Sequence, residues 1–584
     1  MLRSVSIVLA ACGLFSVAAQ ATDAPWIAES NRYAQLLLDV NARYQPESAA
    51  DLGLEQYDAD VLDLKPRFQE RMEADFAAVA TQLEAARGSV SDPRAKQDLE
   101  ILIDSAKRTR ESSELSRRLM IPAFDVGRTV FTSFHDLLDA RVSKKRQGAA
   151  LVRLRRYAGT ERGYEPITAL ARARIEERMN DAALTWPWVV EVQQQLDNGR
   201  QYVDGTRDLL QKSGLKGWQK DFAALAQHLQ EYDAWVRSTV LPHARKTNRL
   251  PPEIYADNLK TYGVDADPRE LMKRAQFAYM QTRDELDTLA RIVATQRNLK
   301  SANYRDVIRE LKKQRIPADG LLDLYRSHLA QIEDIVRKEH IVTLPGRAAA
   351  IRLATDAESA AQPAPHLDLP RLIGNTGEPG VFVLPTKNPN SATGAVLDDF
   401  DFDAVTWTIT AHEARPGHEL QVAGMLEQGV STARAVFAFN SANVEGWALY
   451  AEAVMKQYLP LEAQLGSLQF RLMRAARAFL DPMLNLGLID PEAAKRILME
   501  EVVLSEPMAK QEVDRYTFNA PGQATSYFYG YSKLEGLRTQ VELALGDKFV
   551  AQRYHDFIVG EGLLPLGLLE QAVMTRFVPA QQLN

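Results

Sequence analysis

Two histidines and two glutamates in the last third of the chain have the side chains that a hydrolytic zinc site requires. His412 and Glu413 are adjacent, His418 follows six residues after His412, and Glu445 lies downstream in the segment NVEGWALYAE. Catalytic zinc is held by three protein ligands and keeps one position open for water, and a further carboxylate takes a proton from that water. These residue types predict one Zn²⁺ per chain, with His412, His418 and Glu445 as ligands and Glu413 as general base.

The spacing of the two histidines is unusual for ligands of one ion. Histidines four residues apart share a helix face, but six residues amount to a rotation of about 600° and a rise of about 9 Å. Pro416-Gly417 lies between them. Proline cannot donate the hydrogen bond to the carbonyl of His412, and glycine accepts unusual dihedral angles. We predict a break or a two-residue bulge that returns His418 to His412. The alternative is a helix that ends at Arg415 and two unrelated histidines.

Charged residues further along the chain are candidates to support such a site. Glu452 is seven residues after Glu445 and therefore on the same helix face, where it either orients a zinc-binding histidine or forms a surface salt bridge. Arg471, Arg474 and Arg477 recur every three residues. They either bind the carboxylate of a peptide or form a solvated charged face. We predict Arg474 and Arg477 as substrate-binding residues.

Most of the chain shows the periodicity of amphipathic helices. Apolar side chains recur at Tyr33, Leu37, Val40 and Tyr44, which is the pattern of one helix face. The segment Asp267-Pro268-Arg269-Glu270 combines a capping residue with proline at the first helical position, as is typical of a helix start. The sequence therefore predicts a mainly α fold.

The stretch from residue 361 to 403 is the exception to this helical pattern. It is rich in Pro, Gly, Asn and Asp, and it contains the β-prone run GVFVL (380–384) between Pro379 and Pro385. We predict an edge strand here, because proline restricts a strand to the edge of a sheet. Such a strand could offer its backbone to an extended peptide. The alternative is an ordinary surface hairpin.

The composition excludes several classes of protein. The 584 residues are 46% hydrophobic and 25% charged, which is ordinary for a globular protein and excludes disorder, collagen and coiled-coil rods. The net charge of −7 does not favour nucleic acid or an anionic membrane surface as a partner. The single cysteine, Cys12, excludes an intramolecular disulfide and a Cys-rich metal cluster.

The first residues are typical of a targeting segment. Arg3 precedes a short, mostly apolar run (5–17), and Ala19-Gln20-Ala21 is a small-x-small cleavage site. The run is too short to span a bilayer. We predict a signal peptide over residues 1–21 and a periplasmic or secreted protein without a transmembrane segment. The alternative is a lipoprotein anchored at Cys12, because the segment LAAC that ends there fits a lipoprotein processing site.

Three motifs carry a resemblance to a known family. HEARPGHELQ (412–421), NVEGWALYAE (443–452) and PGQATSYFYGYSKL (521–534) resemble the bacterial domain-of-unknown-function family 885. Its members resemble zinc-dependent peptidases and carry an HExxPGH motif with a downstream Glu-Gly-Trp. The similarity runs along most of the mature chain. It implies a large helical metallopeptidase-like fold with a deep cleft, a small β element next to the active-site helix, and peptidase activity.

The resemblance also implies a role for a tyrosine behind Pro521-Gly522. Attack on a peptide carbonyl develops an oxyanion, which a preorganised donor stabilises. Tyr527 matches the tyrosine of the family's Pro-Gly-Gln segment and is predicted as catalytic. Tyr531, one turn further along, is the reserve candidate and a predicted substrate-binding residue. The alternative is that these tyrosines only pack the start of a helix.

This chain departs from the family pattern at two places. Many members carry a second histidine directly after the motif histidine, where this chain has Glu419. The family also tends to have Gly-x-His where this chain reads DPMLN (481–485). The predicted ligands are unaffected, so these departures bear on substrate choice and activity.

We predict a helical region over residues 22–360 and a catalytic region over residues 361–584, within one continuous family domain. The first functional hypothesis is an exported zinc metallopeptidase that acts on peptides. The alternatives are a catalytically silent helical binding protein and a metal-dependent hydrolase of non-peptide amides. The sequence leaves the oligomeric state open.

Overall fold

The protein folds mainly as α-helices. The structure, a computed structural model, describes residues 24–362, 364–385 and 397–583. Helices contain most of these residues, and the strands form one small sheet, which confirms the predicted fold class. The predicted signal peptide (1–21) and Cys12 lie outside the described residues.

The helices before residue 340 are α1 (Pro25–Tyr44), α2 (Pro46–Leu52), α3 (Phe68–Ala85), α4 (Pro93–Leu119), α5 (Val126–Leu137), α6 (Lys144–Gln147), α7 (Ala150–Ala158), α8 (Ile167–Glu176), α9 (Val189–Ser213), α10 (Gln219–Trp235), α11 (Pro252–Thr261), α12 (Pro268–Gln296), α13 (Tyr304–Lys312) and α14 (Ala318–Lys338). The helices after residue 350 are α15 (Asp356–Ala361), α16 (Asp403–Glu413), α17 (His418–Gln428), α18 (Ser441–Lys456), α19 (Leu461–Asn485), α20 (Pro491–Glu500), α21 (Glu506–Asp514), α22 (Thr525–Leu545), α23 (Ala551–Gly560), α24 (Leu566–Ala572) and α25 (Val578–Leu583).

Local sequence explains where individual helices begin and which face they bury. The side chain of Asp267 accepts hydrogen bonds from the backbone N–H groups of Arg269 (2.9 Å) and Glu270 (3.1 Å), so it caps α12 as predicted. In α1, Leu37, Val40 and Tyr44 of the apolar stripe are buried. These helices therefore follow directly from capping and periodicity.

The sheet has three strands, β1 (Ala350–Leu353), β2 (His366–Asp368) and β3 (Val381–Leu384), in the order β1-β3-β2. β3 pairs parallel to β1 and antiparallel to β2. The prediction that the run at 380–384 forms an edge strand is therefore wrong, because β3 is the central strand. Pro379 and Pro385 lie just outside β3, so neither proline removes a hydrogen bond from the ladder.

The helices that carry the candidate site pack around α19. Almost every residue of α19 is buried, as expected for a helix enclosed on all sides. It contacts α12, α16, α18 and α22. Three of these helices carry predicted site residues, so α19 forms the support behind the site.

The hydrophobic core does not divide at residue 360. The largest buried apolar cluster contains residues from Tyr255 to Tyr529, and a second contains Ile101 as well as Val578. The domain boundaries predicted at residues 22–360 and 361–584 stay predictions. Among the described residues, no helix is both long enough and apolar enough to cross a membrane.

Candidate metal centre and active site

The two histidines belong to separate helices. α16 ends at Glu413 and α17 begins at His418, with residues 414–417 between them. The helix therefore breaks completely, three residues before Pro416, instead of bulging by two residues. A Cβ atom at Gly417 would lie 1.9 Å from the carbonyl oxygen of His412, so only glycine allows this close return of the chain. The break turns α17 so that His418 faces His412, with ring centroids 4.7 Å apart.

Buried polar contacts hold the segment 414–417 in place. Arg415, whose side chain is 3% exposed, pairs with Glu419 through Nε at 2.6 Å and with Glu333 of α14 through Nη1 at 2.7 Å. The indole N–H of Trp447 donates a hydrogen bond to the carbonyl oxygen of Pro416 at 3.0 Å. Glu419, the first departure from the family pattern, therefore fixes the connection between the two histidine helices.

α18 brings the third predicted ligand to the histidines. Asn440 caps α18 by accepting a hydrogen bond from the backbone N–H of Asn443 at 2.9 Å. Oε2 of Glu445 lies 3.4 Å from Nε2 of His412 and 3.3 Å from Nε2 of His418. Ligand atoms of all three residues lie within 4.8 Å of one another. The structure thus brings together the three predicted ligands.

The donor set fits a zinc ion. With bonds of about 2.0–2.1 Å, neighbouring ligands of tetrahedral zinc are about 3.3 Å apart, which matches both distances from Glu445 Oε2. Among the described residues, Glu445 Oε2 and His418 Nδ1 are buried without a hydrogen-bond partner. A buried carboxylate oxygen without a donor is costly, and a cation between the three residues would satisfy it.

The buried imidazoles and carboxylates of the site shift one another's pKa. Burial opposes the protonated form of His412, but the carboxylates of Glu445 and Glu452 favour it and raise the pKa to about 9. Burial likewise opposes ionisation of Glu445, yet the two imidazoles hold its pKa well below the usual range. An ion bound here would displace the imidazole proton and take over this stabilising role.

Glu452 orients His412. Nδ1 of His412 donates a hydrogen bond to Oε1 of Glu452 at 2.6 Å, because a carboxylate can only accept. The other oxygen of Glu452 accepts from Thr408 at 2.9 Å, and Arg474 lies 3.1 Å from Oε1. Glu452 is 2% exposed, so the surface salt bridge proposed as its alternative is wrong. Nε2 of His412 is left to face Glu445.

Glu413 lies at the end of α16 beside the histidines. Its Oε1 is 3.9 Å from Nε2 of His412, and its side chain is 10% exposed. Burial raises the pKa of Glu413, although His412 and His418 oppose this effect. A carboxylate with a raised pKa is better suited to accept a proton near neutral pH.

Tyr527 stands next to the three predicted ligands. Its ring is parallel to that of His412, with centroids 6.2 Å apart, and the guanidinium of Arg477 lies 4.4 Å above it. Arg515 donates a hydrogen bond to the Tyr527 oxygen at 3.4 Å. Burial and the charge of Glu445 raise the pKa of Tyr527. The phenol therefore stays protonated at neutral pH and can donate its hydrogen.

Of the three predicted substrate-binding residues, Arg474 and Arg477 contact predicted site residues, whereas Tyr531 lies further along α22. Arg474 and Arg477 are each 4% exposed, so the solvated charged face is wrong for them. Arg474 pairs with Glu452, whereas Arg477 forms a bidentate ion pair with Glu512 at 2.6 and 2.7 Å. Tyr531 packs near Arg471, whose guanidinium is 5.7 Å from its ring. Arg474 and Arg477 therefore make buried contacts beside the site, and substrate binding by the three side chains stays a prediction.

A cavity of about 520 Å³ opens beside Glu445 and Tyr527. One wall comes from the N-terminal half, through residues of α5 and α9. The other comes mainly from residues 510–527. Trp188, which precedes α9, contacts Phe518 of this second wall edge-on, with ring centroids 5.7 Å apart. The deep cleft implied by the family resemblance stays a prediction.

Sequence reasoning missed two residues that line this cavity and the contacts of Asp481 next to the PGQ segment. Arg515 lines it in the helical turn Arg515–Asn519, and Gln523 lines it within the PGQ segment. Asp481, in the second departure from the family pattern, accepts hydrogen bonds from the N–H of Gly522 and from Tyr255. Gln523 was visible in the PGQ motif, whereas Arg515 carries no local signal.

Comparison with known proteins identifies the family of the chain. Residues 46–573 match the family described as "Bacterial protein of unknown function (DUF885)". The chain therefore belongs to this family. A comparison with curated proteins gave no match.

Two solved structures share the fold. One is a "putative lipoprotein" from Colwellia psychrerythraea, with a TM-score of 0.76, 18% identity, and coverage of 95% of this chain and 100% of the other. The other is a "putative lipoprotein of unknown function" from Shewanella oneidensis, with a TM-score of 0.70, 17% identity, and coverage of 94% and 100%. At this identity the likeness concerns the fold alone.

Proposed function

We propose that this member of the family is an exported zinc-dependent metallopeptidase. One observation supports this most directly. Nε2 of His412 and Nε2 of His418 converge on Oε2 of Glu445, at distances of 3.4 and 3.3 Å. Glu413 supplies a further carboxylate beside them. Two imidazoles, one ligand carboxylate and one free carboxylate are the set that metallopeptidases use.

In this proposal each residue of the site has a separate role. Zinc, when bound by the three ligands, supplies Lewis acidity toward the substrate carbonyl and lowers the pKa of water. Glu413 accepts the proton of the attacking water on a carboxylate oxygen and delivers it to the leaving nitrogen. Glu452 keeps the hydrogen of His412 on Nδ1 through their 2.6 Å contact, which leaves Nε2 as the ligand atom.

Tyr527 is proposed to stabilise the charge that develops on the carbonyl oxygen. Its hydroxyl accepts a hydrogen bond from Arg515, so its own hydrogen is directed elsewhere. Arg477 against one face holds the ring in place, as preorganisation of a donor requires. A preorganised donor of this kind contributes roughly 3–4 kcal/mol to transition-state stabilisation.

The lining of the cavity supports a peptide as the substrate. Gln194, Gln195, Asn198 and Gln523 place side-chain amides along it. Amides both donate and accept hydrogen bonds, which suits the alternating N–H and C=O groups of a peptide backbone. A volume of about 520 Å³ falls in the usual range of small-ligand sites.

Metal analysis and substrate screening test the proposal. Purified protein is analysed for metal and incubated with a peptide library, with and without a chelator, and products are read by mass spectrometry. We expect about one zinc per chain, cleavage that the chelator abolishes and zinc restores, and loss of both in His418→Ala. A zinc-loaded protein that leaves every peptide intact would contradict the peptidase and favour the binding protein or an amidase of other substrates.

Export is proposed on separate grounds. Two solved proteins of the same fold are described as putative lipoproteins, and Cys12 ends the segment LAAC. Palmitate labelling of the full chain, compared with Cys12→Ser, separates a lipid-anchored form from one cleaved near Ala21. Label on the native chain and its loss in the variant would establish the anchor. An unlabelled protein with a processed N-terminus would favour the soluble form.

A further inference from the structure

Arg515 presents its guanidinium to the cavity directly beside the proposed site. It lines the cavity together with Glu445 and Tyr527, and its side chain is 16% exposed. The one hydrogen bond that the described residues give its guanidinium runs from Nη1 to the Tyr527 oxygen, at 3.4 Å. Arginine carries five N–H donors in a planar fork, so most of them remain for a ligand in the cavity.

The charge of Arg515 is only partly neutralised by its surroundings. Glu512, its nearest carboxylate, lies 3.8 Å from Nη1. That carboxylate is already held by Arg477 at 2.6 and 2.7 Å and by the hydroxyl of Tyr516 at 2.7 Å. Two guanidinium groups therefore share one buried carboxylate. A positive charge is left at the end of the cavity that adjoins Glu445.

The rest of the cavity offers less to an anion. On the wall made by α5 and α9, the carboxylates of Asp125 and Glu191 line the cavity. Arg128, in the first turn of α5 and three residues after Asp125, lines the same wall. On the other wall Lys510 is paired with Asp514 at 2.5 Å. A ligand carboxylate is thus favoured next to Arg515 and opposed by carboxylates on the α5–α9 wall.

We propose that Arg515 binds the C-terminal carboxylate of the substrate, so that the enzyme releases residues from the C-terminus of short peptides. This inference rests on the proposed peptidase function and names its substrate class. A charge-assisted, two-pronged contact between arginine and carboxylate is strong and directional. Arg515 contacts the Tyr527 hydroxyl at 3.4 Å and lines the same cavity as Glu445, so a carboxylate held there belongs to a residue just after the cleaved bond.

The reaction itself is ordinary hydrolysis. The C–N bond near the C-terminus breaks, the hydroxyl of water adds to the carbonyl carbon, and a proton is transferred to the nitrogen of the released C-terminal fragment. Arg515 takes no part in this proton transfer. It sets the register of the peptide by holding its terminal carboxylate.

Matched peptides test this role. Acetylated tetrapeptides that end in a carboxylate or in a carboxamide are compared as substrates of the zinc-loaded protein. We expect kcat/KM to be roughly ten- to a hundredfold higher for the acid, the range of a hydrogen bond to a charged group. In Arg515→Gln the ratio should approach one. Arg128→Gln, which removes a cation from the other wall, should retain the ratio. Arg515→Lys keeps the positive charge but lacks the planar guanidinium that binds a carboxylate with two hydrogen bonds, and it should give an intermediate ratio.

A second measurement makes the outcome independent of turnover. Calorimetric titration of the chelator-treated protein with the same acid and amide should show tighter binding of the acid, and Arg515→Gln should abolish that difference.

If the native enzyme cleaves both peptides equally, the inference fails while the peptidase stands. If Arg515→Gln lowers both rates by the same factor, Arg515 acts through Tyr527 and the inference also fails. If neither peptide is cleaved, the peptidase fails, and the titration alone decides whether Arg515 binds a carboxylate.

Discussion

Glu452 accepts a 2.6 Å hydrogen bond from Nδ1 of His412 while Arg474 lies 3.1 Å from the same carboxylate oxygen. All three side chains are buried. The histidine is therefore oriented from behind by an ion pair that reaches from α18 to α19. This arrangement links the charge of a buried arginine to the direction of a proposed metal ligand.

Glu452→Gln is expected to weaken zinc binding about 10- to 100-fold, as the loss of a partner behind a ligand typically does. It should also lower the melting temperature, because Arg474 is left without its charge partner. Competition with a chromogenic chelator measures the affinity. Glu285→Gln is a matched control, because Glu285 pairs with Lys456 of the same helix α18 but is half-exposed. Equal zinc affinity in native protein and Glu452→Gln would remove Glu452 from this role.

Glu413→Gln separates the general base from the ligands. The change keeps the size of the side chain and removes its basicity, so turnover should fall about 100-fold or more. Zinc content and melting temperature should change little, because Glu413 is not one of the three converging residues. Metal analysis, calorimetry and a peptide assay on the same preparation measure all three. Retained activity would exclude Glu413 as the base.

Glu419→Gln tests the connection between the histidine helices. It removes a buried negative charge that pairs with Arg415 at 2.6 Å. Leaving a buried charge unpaired costs about 3–5 kcal/mol, and because Arg415 keeps Glu333 as a partner, we expect a cost of roughly 3 kcal/mol at most. We expect a matching fall in the free energy of unfolding in urea, together with weaker zinc binding. Glu427→Gln, which breaks the more exposed pair with Arg347, should cost less. Equal stability of the two variants would contradict a special role for Glu419.

The residues between the two histidines predicted an interruption of the helix but not where the helix ends. Pro416-Gly417 marks an interruption, but α16 already ends at Glu413. The segment after this end is held by the buried pairing of Arg415 with Glu333 of α14, a residue far away in the chain. Local rules for proline and glycine carry no information about such a partner. The break was therefore predictable, whereas its position and geometry depended on tertiary contacts.

The spacing of the arginines on α19 could not show which way they point. A three-residue spacing describes a helix face, and on an amphipathic helix charged residues face solvent. α19 is enclosed almost all round, so Arg474 and Arg477 find buried carboxylates instead. Arg515 was missed for a related reason, because its position beside Tyr527 depends on the packing of the turn 515–519 against α19. Helix periodicity predicts elements well, but it does not predict which buried charges meet.

Asp481→Asn tests a pH dependence near the PGQ segment. Burial opposes ionisation of Asp481 and raises its pKa from 3.8 to about 8, although hydrogen bonds from Tyr255 and Gly522 act in the opposite direction. A raised pKa means that the native state holds the proton more tightly than the unfolded chain. The contribution of Asp481 to stability is therefore greatest below about pH 4 and is lost as the pH rises toward 8.

Urea unfolding at several pH values should show this decline in the native protein and less of it in Asp481→Asn. Asp104→Asn, at an exposed carboxylate, should reproduce the native profile, and a profile unchanged in Asp481→Asn would contradict the raised pKa.

Tyr527→Phe removes only the hydroxyl that is proposed to stabilise the carbonyl oxygen. The ring keeps its contacts with Arg477 and His412, so the melting temperature should change little. We expect kcat to fall tenfold or more with a small change in KM, because the hydroxyl acts mainly in the transition state. Tyr531→Phe is the matched control from the same helix, since Tyr531 packs near Arg471 and is not among the residues that line the cavity. It should retain native kcat. A normal kcat in Tyr527→Phe together with a reduced one in Tyr531→Phe would transfer the role to Tyr531.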